Sequence, residues 1–358
     1  QRHLTIPCEM CIRDSNSTNG YGNVSITAAA TSGNTVGKII DRDGTVAEDS
    51  EYDITASSLI LKAGYAVGDG NNHIEVTVTT LTANAGIGGL YVTAKELVSG
   101  GNVTVDKLMV DVKRVGTDAS VPTTATGTAT VTQEDLSATG AGNIVLDVTS
   151  GALALNAGTS GTNAVTAVSG NIRLEAALGS VIAGANADVV SGSGSISVIG
   201  NTDVDFNSTG ADIRTSTGGT IDVEATTGSI TQSATSLFTA GVSTNDTGNI
   251  RLFADDNIQI GDITTAGSVS VVATTGSITD ADALTGANSD TNDADLDITA
   301  VGLRLWAGVG IGETVDHLET TVDTVTARAT SGGIYIKETN ALDVSDVTVT
   351  VNRVATTG

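Results

Sequence analysis

The sequence predicts an all-β fold: a parallel β-helix, or β-solenoid, with about three short strands per coil. Three observations point there. A forty-residue stretch, Asp53 to Val92, recurs 244 positions later as Asp297 to Ile336, without a gap and with twenty identities. Short alternating apolar runs recur every two dozen residues or so behind turns of Gly with Asn, Ser or Thr. The composition is that of thin stacked coils, with 43 Gly, 2 Pro and 3% aromatics. Each repeat of a stacked array buries its apolar face only against its neighbours, so self-similarity signals a quasi-one-dimensional scaffold.

The elements follow in order. Residues 1–15 read as a leader foreign to the rest, resembling translated sequencing-adapter read-through. They hold both cysteines, Cys8 and Cys11, with His3 nearby. A lone CxxC lacks the second ligand pair of a zinc site. Residues 16–358 read as a single solenoid, an internal fragment of something larger, with the segment 53–92 repeated at 297–336. From about Gly22 the chain runs in short strands. First strands start at Ile144, Ile172, Ile196, Ile221, Ile250, Val269 and Leu296. Residues two apart share a strand face, so the apolar partners point inward while Arg173, Asp222, Glu224 and Arg251 point out.

Second strands follow seven to nine residues later, at Leu153, Val181, Val204, Ile230, Ile258, Ile278 and Leu303. A third strand fits around Ile213 or Leu237–Phe238. About fourteen coils at roughly 4.8 Å each give a rod of about 65–70 Å. Proline is scarce because an interior ladder strand cannot lose its N–H. The main rival, a tandem of Ig-like sandwiches, needs longer units and aromatic core landmarks.

The net charge of −25 excludes nucleic acid, whose binding needs Lys and Arg on phosphates, and anionic membrane surfaces. There is no apolar run long enough for a transmembrane helix, so membrane insertion of this segment is not expected.

Candidate chemistry is sparse. His73 with Glu75 recurs as His317 with Glu319. Each pair reads as an outward i, i+2 couple holding a coil in register; neither copy adds a nucleophile or an evident third ligand. Acidic clusters at Asp41 and Asp43, and from Asp280 to Asp297, offer hard oxygen donors suited to calcium. The calcium candidates are Asp280, Asp282, Asp293 and Asp295, with Asp290 and Asp297 in the same crowd. Asp is also an ordinary turn residue, and no calcium-loop motif is present. Trp306 should face outward, where an indole can stack on a sugar ring, and is the candidate ligand contact. Tyr91 and Tyr335 should also face out, with Leu90 and Ile334 pointing in.

The phrases GSITQS, GNIRLFADDNIQIGD, GSVSVVATTGSITD and HLETTVDTVTARATSGGIYI resemble large bacterial exoproteins of the filamentous-haemagglutinin or autotransporter type. The resemblance covers roughly residues 20–358 and rests on repeat style. It implies a right-handed β-helix, placed extracellularly or on the cell surface of a Gram-negative-like bacterium. It also implies a non-enzymatic shaft of an adhesin serving attachment or biofilm formation, with surface glycans or proteins as partners and an outer-membrane secretion partner. The alternative is a carbohydrate-active β-helix enzyme, a polysaccharide lyase or glycosidase. That reading needs paired carboxylates in one groove with aromatic subsites.

Overall fold

The computed structural model describes residues 21–29, 37–41, 52–113, 118–120, 128–158, 163–241, 248–282 and 296–358. Within them the chain winds as a parallel β-helix with three strand faces. The first face carries Ile144–Ser150, Ile172–Ala176, Ile196–Gly200, Ile221–Ala225, Ile250–Ala254 and Ser268–Ala273. The second carries Ala152–Leu155, Val181–Ala183, Val204–Phe206, Ile230–Gln232, Ile258–Ile260 and Ile278–Asp280. The third carries Asn163–Ala167, Asp188–Ser191, Ile213–Thr215, Leu237–Ala240 and Asp262–Thr265. Each strand pairs in parallel with its counterpart one coil away, as in Ile172↔Ile196, Val204↔Ile230 and Ile213↔Phe238.

On the first face the register runs Ile39, Val67, Leu90, Ile144, Ile172, Ile196, Ile221, Ile250, Val269, Leu303, Val325, Val344. Twelve rungs at about 4.8 Å make a ladder of roughly 53 Å, shorter than the length expected from the sequence. Two features account for the difference. An antiparallel hairpin, Leu108–Lys113 with Thr128–Gln133, leaves the winding altogether. The residues after Val344 also leave it.

The inward side chains form one continuous apolar cluster from Val24 to Val325. Ile, Leu, Val and Ala fill it, with Phe206 and Phe238. The Gly-Asn turns have a specific cause. Gly142, Gly170, Gly194, Gly219, Gly248 and Gly267 stack in a column, each so close to the carbonyl below that a Cβ has no room. An added Cβ at Gly194 would lie 2.1 Å from Gly170 O. Hydroxyls brace the same carbonyls: Ser191 Oγ donates to Gly170 O at 2.8 Å and Thr215 Oγ1 to Gly194 O at 3.0 Å. The following Asn caps the next rung. Asn143 Oδ1 accepts from Asn171 N–H at 2.9 Å, and Asn171 Oδ1 from Ser195 N–H at 2.9 Å. These two corner donors thus find acceptors, as buried amides require.

Two sequence expectations need correction here. Leu296 does not open a first strand, nor Leu303 a second. One ten-residue strand, Ile298–Ala307, serves two faces in succession: Ile298 pairs with Ile263 on the third and Leu303 with Val269 on the first. The second face continues instead through Ile311, which bridges Ile278 and Ile334. Ile334 does not point into a sealed core; it is 45% exposed, unlike its counterpart Leu90, which is fully buried. Strand Gly89–Glu96 is covered by Ile144–Ser150 on its far side, whereas among the described residues no strand covers Ile334 in that way.

Candidate functional site

The forty-residue repeat builds the same structure twice. Strand Ile54–Ala63 matches Ile298–Ala307, and Ile74–Ala85 matches Leu318–Ala329, at the 244-residue offset. Each copy holds a carboxylate just before its first strand, half-buried at Asp53 and buried at Asp297. Asp53 Oδ2 accepts the Glu75 N–H at 3.0 Å, and Asp297 Oδ2 accepts the Glu319 N–H at 2.7 Å. Alternation turns the Glu75 and Glu319 side chains outward, as the sequence implies, but not into solvent: they are 3% and 4% exposed.

Each copy then gains a third carboxylate from the preceding coil. Asp41 joins Asp53 and Glu75; Asp280 joins Asp297 and Glu319. Within each trio the oxygens lie within 4.8 Å of one another. Asp41 and Asp280 are structurally equivalent. Ile39 pairs with Val67 and Ile278 with Ile311, and each aspartate stands two residues beyond its isoleucine. Their sequence separation is not 244, so the alignment of the repeats does not show them as a pair.

Burial pushes the Asp53 carboxyl up, and the Asp41 charge adds to it. Burial likewise raises Asp297, reinforced by Asp280, and raises Asp280, reinforced by Asp282 and Asp316. Of the sequence-stated calcium candidates, Asp280 is in the second trio. Asp282 supports it through its backbone N–H, which donates to Asp280 Oδ1 at 2.8 Å. Asp293 and Asp295 lie outside the described residues, as do Asp43, Asp290, Cys8, Cys11, His3 and the whole 1–15 leader.

The histidines take a separate path. His73 is 1% exposed. Its Nδ1 lies 2.9 Å from Thr93 Oγ1 and its Nε2 3.0 Å from Thr356 O. A carbonyl only accepts, so Nε2 carries the proton on that side. His73 tilts against Tyr91 at 5.9 Å, and His317 stacks on Tyr335 at 5.8 Å. The His–Glu pairs thus divide, with Glu joining carboxylates and His packing on Tyr.

Thr356 belongs to a feature that alternation does not reveal. Residues 347–357 run back along the outer surface of the first face, across the rungs, as an axial strap. Val347 lies beside Gly302. Asn249 Nδ2 donates to Thr350 O at 2.8 Å, and Asn352 N–H to Thr220 Oγ1 at 2.8 Å. Val354 N–H donates to Ser197 Oγ at 2.9 Å, and Arg173 to Val354 O at 3.0 Å. Thr357 lies against Gly70. The segment ends in a turn, Gly358 N–H donating to Ala355 O at 3.0 Å.

Arg353 anchors the strap. Its Nε lies 3.0 Å from Asp222 Oδ2, its second arm reaches Glu224, and Arg251 approaches the same two carboxylates from the face. Burial opposes ionisation of Glu224, yet the two arginines together hold its carboxyl below the usual range. This corrects the reading of Arg173, Asp222, Glu224 and Arg251 as simply outward. They face away from the core, but Arg173 and Asp222 are buried.

Trp306 faces outward as expected and is half-buried. Arg328, its register partner on the next rung, lies 5.9 Å from the ring centroid, and Arg304, Thr326 and Arg328 line a shallow depression around it.

Two aspartates outside the trios set a pH response. Burial lifts Asp135 to about 6, helped by the neighbouring Glu134 charge. Burial lifts Asp188 to about 6 against the pull of Arg214. A carboxyl with a raised folded-state pKa stabilises the fold fully below its unfolded value near 3.9, and that contribution fades as pH climbs through about 6. The melting temperature of the chain in chelator is therefore expected to fall by a few degrees between about pH 4.5 and 7. A midpoint that rises across this window in a calorimetric scan would contradict the assignment.

Among the described residues no helix is long and apolar enough to cross a membrane. The fold defines the class, a parallel β-helix protein. Compared with family models, curated proteins and solved structures, the chain matches none.

Proposed function

We propose that this chain is a non-enzymatic shaft segment of a large secreted or cell-surface bacterial adhesin, serving attachment or biofilm formation. One observation carries the reading: among the described residues, backbone pairing links rung to rung, the apolar core is continuous, and the forty-residue repeat builds the same strands twice. A ladder of this kind supplies reach and stiffness, and its coils are interchangeable spacers. The twinned trios favour the same reading, since a reaction centre gains little from being built twice in a rod. Surface glycans or proteins are the partners that suit the role, with Trp306 between Arg304 and Arg328 as a contact patch. Delivery through an outer-membrane secretion partner fits the resemblance of the repeats.

The test is made in the source cell and on the purified chain. Removing the coding sequence is expected to reduce surface attachment and biofilm mass several-fold, while the purified chain shows no turnover of polysaccharides. Turnover that disappears on alanine substitution at His73, Glu75, His317 and Glu319 would replace this reading with that of a carbohydrate-active enzyme. Unchanged attachment in the deletion strain would remove the adhesin role.

A further inference from the structure

The two carboxylate trios call for a neutralising partner. Three like charges with their oxygens within 4.8 Å repel one another, most strongly in the second trio, where all three carboxylates are buried, while in the first Glu75 is buried and Asp41 and Asp53 are half-buried. The donors are all oxygen, with no sulfur and no ring nitrogen. Asp280 is 7% exposed. One of its oxygens takes the Asp282 N–H, while the other, Oδ2, is sealed from solvent with no hydrogen-bond donor against it. The Asp280 carboxyl faces that of Asp297. An acceptor of this kind, held among other acceptors, lacks a positive centre rather than another hydrogen bond.

Reconstruction of the third carboxylate in both copies strengthens the point. Asp53 and Asp297, and Glu75 and Glu319, come with the repeat. Asp41 and Asp280 arrive by a different chain spacing and still occupy the same place. The neighbouring turn is matched as well: Asp69 and Asn72 bridge in the first copy, Glu313 and Asp316 in the second. In the second copy Lys337 Nζ lies 3.2 Å from Glu319 Oε1 and offsets one charge. The nearby Asp316 adds another to the field at Asp280.

We propose that each trio, Asp41–Asp53–Glu75 and Asp280–Asp297–Glu319, is a site for a hard divalent cation, calcium. Calcium accepts irregular sets of oxygen ligands, whereas magnesium demands a near-octahedral shell and retains its water. A bound ion would tie the preceding coil to the two strands of the repeat in each copy, fastening successive coils to one another. The proposal goes beyond the shaft reading and stands or falls separately from it.

The test is calorimetric titration of calcium chloride into the full chain after chelator treatment, with thermal unfolding in parallel. Two binding events per chain are expected. At about one hundred times Kd, each multiplies the folded-to-unfolded ratio about a hundredfold. Magnesium at the same concentration is expected to fail as a substitute. Asp53→Asn and Asp297→Asn preserve side-chain shape and are each expected to remove one event, the pair of substitutions both; circular dichroism verifies that each variant is folded. Glu75→Gln provides a second variant of the first site should Asp53→Asn not fold. Three results would overturn the proposal: no binding heat and no calcium-dependent melting shift, two events surviving in both asparagine variants, or equal shifts from calcium and magnesium that track ionic strength. If the carboxyls are held by shared protons instead, Asp53→Asn and Asp297→Asn will each raise chelator-treated stability while calcium leaves the parent chain unchanged.

Discussion

Replacing Phe238 with alanine is expected to cost about 3–5 kcal/mol, as deletion of a fully buried phenylalanine commonly does. Phe238 and Phe206 are the largest fully buried side chains, meeting edge-to-face at a centroid distance of 5.5 Å. They come from two faces of the coil, Phe206 from the second and Phe238 from the third, so the pair bridges the width of the core. Phe238 is held between Ile213 and Ile263 in the register of its neighbours. Their backbones are fixed by the ladder, so the site cannot collapse to fill the gap. Denaturant unfolding of the variant, set beside Leu178→Ala at an exposed turn, measures the difference. A loss below about 1 kcal/mol would mean that the coil relaxes far more than close packing allows.

Arg353→Ala is expected to release the strap. The substitution removes two charge-assisted contacts and leaves Asp222, 1% exposed, with Arg251 as its remaining arginine. A hydrogen bond to a charged group is worth about 1.5–3 kcal/mol, and ordering an extended segment opposes docking at every residue. The strap is therefore held by a narrow margin and undocks as a unit. Amide hydrogen exchange at Val354 is expected to accelerate by roughly two orders of magnitude, while the Leu174 and Val198 amides of the core rungs keep their protection. Unchanged exchange at Val354 would show that the remaining bonds to Ser197, Thr220 and His73 suffice. Arg353→Lys, which keeps the charge but loses the planar fork, is expected to fall between the two.

Much of the winding was legible in the sequence, because a period-two alternation with glycine turns marks both strand and face. Every second strand from Leu153 to Ile278 stands where its spacing placed it, and Ile213 and Phe238 pair on the third face. At Leu296 the structure departs from that pattern because one strand runs on from face to face, with only Val301–Gly302 at the corner and no turn of Gly with Asn, Ser or Thr. Two of the three members of each carboxylate site come with the repeat, Asp297 with Glu319 and Asp53 with Glu75. The third, Asp280 or Asp41, stands out in the sequence as an acidic candidate, but its place beside the other two does not, because it reaches the site by the fold and not by the 244-residue spacing. The strap was not legible. It crosses the rungs through polar side chains, joining residues as far apart as His73 and Thr356, and alternation identifies an outward side chain without saying what lies over it.

The hairpin shows how such a chain can be extended. Between the second and third faces the corner takes four residues from Ala183 to Asp188, but thirty from Val105 to Leu136. Yet Val105 still stacks on Leu155, and Leu136 on Val165. That corner can therefore accept a graft of almost any size without disturbing the coils around it. A foreign epitope or a reporter module spliced between Asp111 and Thr130, the partners across the hairpin, should be carried on the flank of the rod as a side branch, leaving the trunk intact.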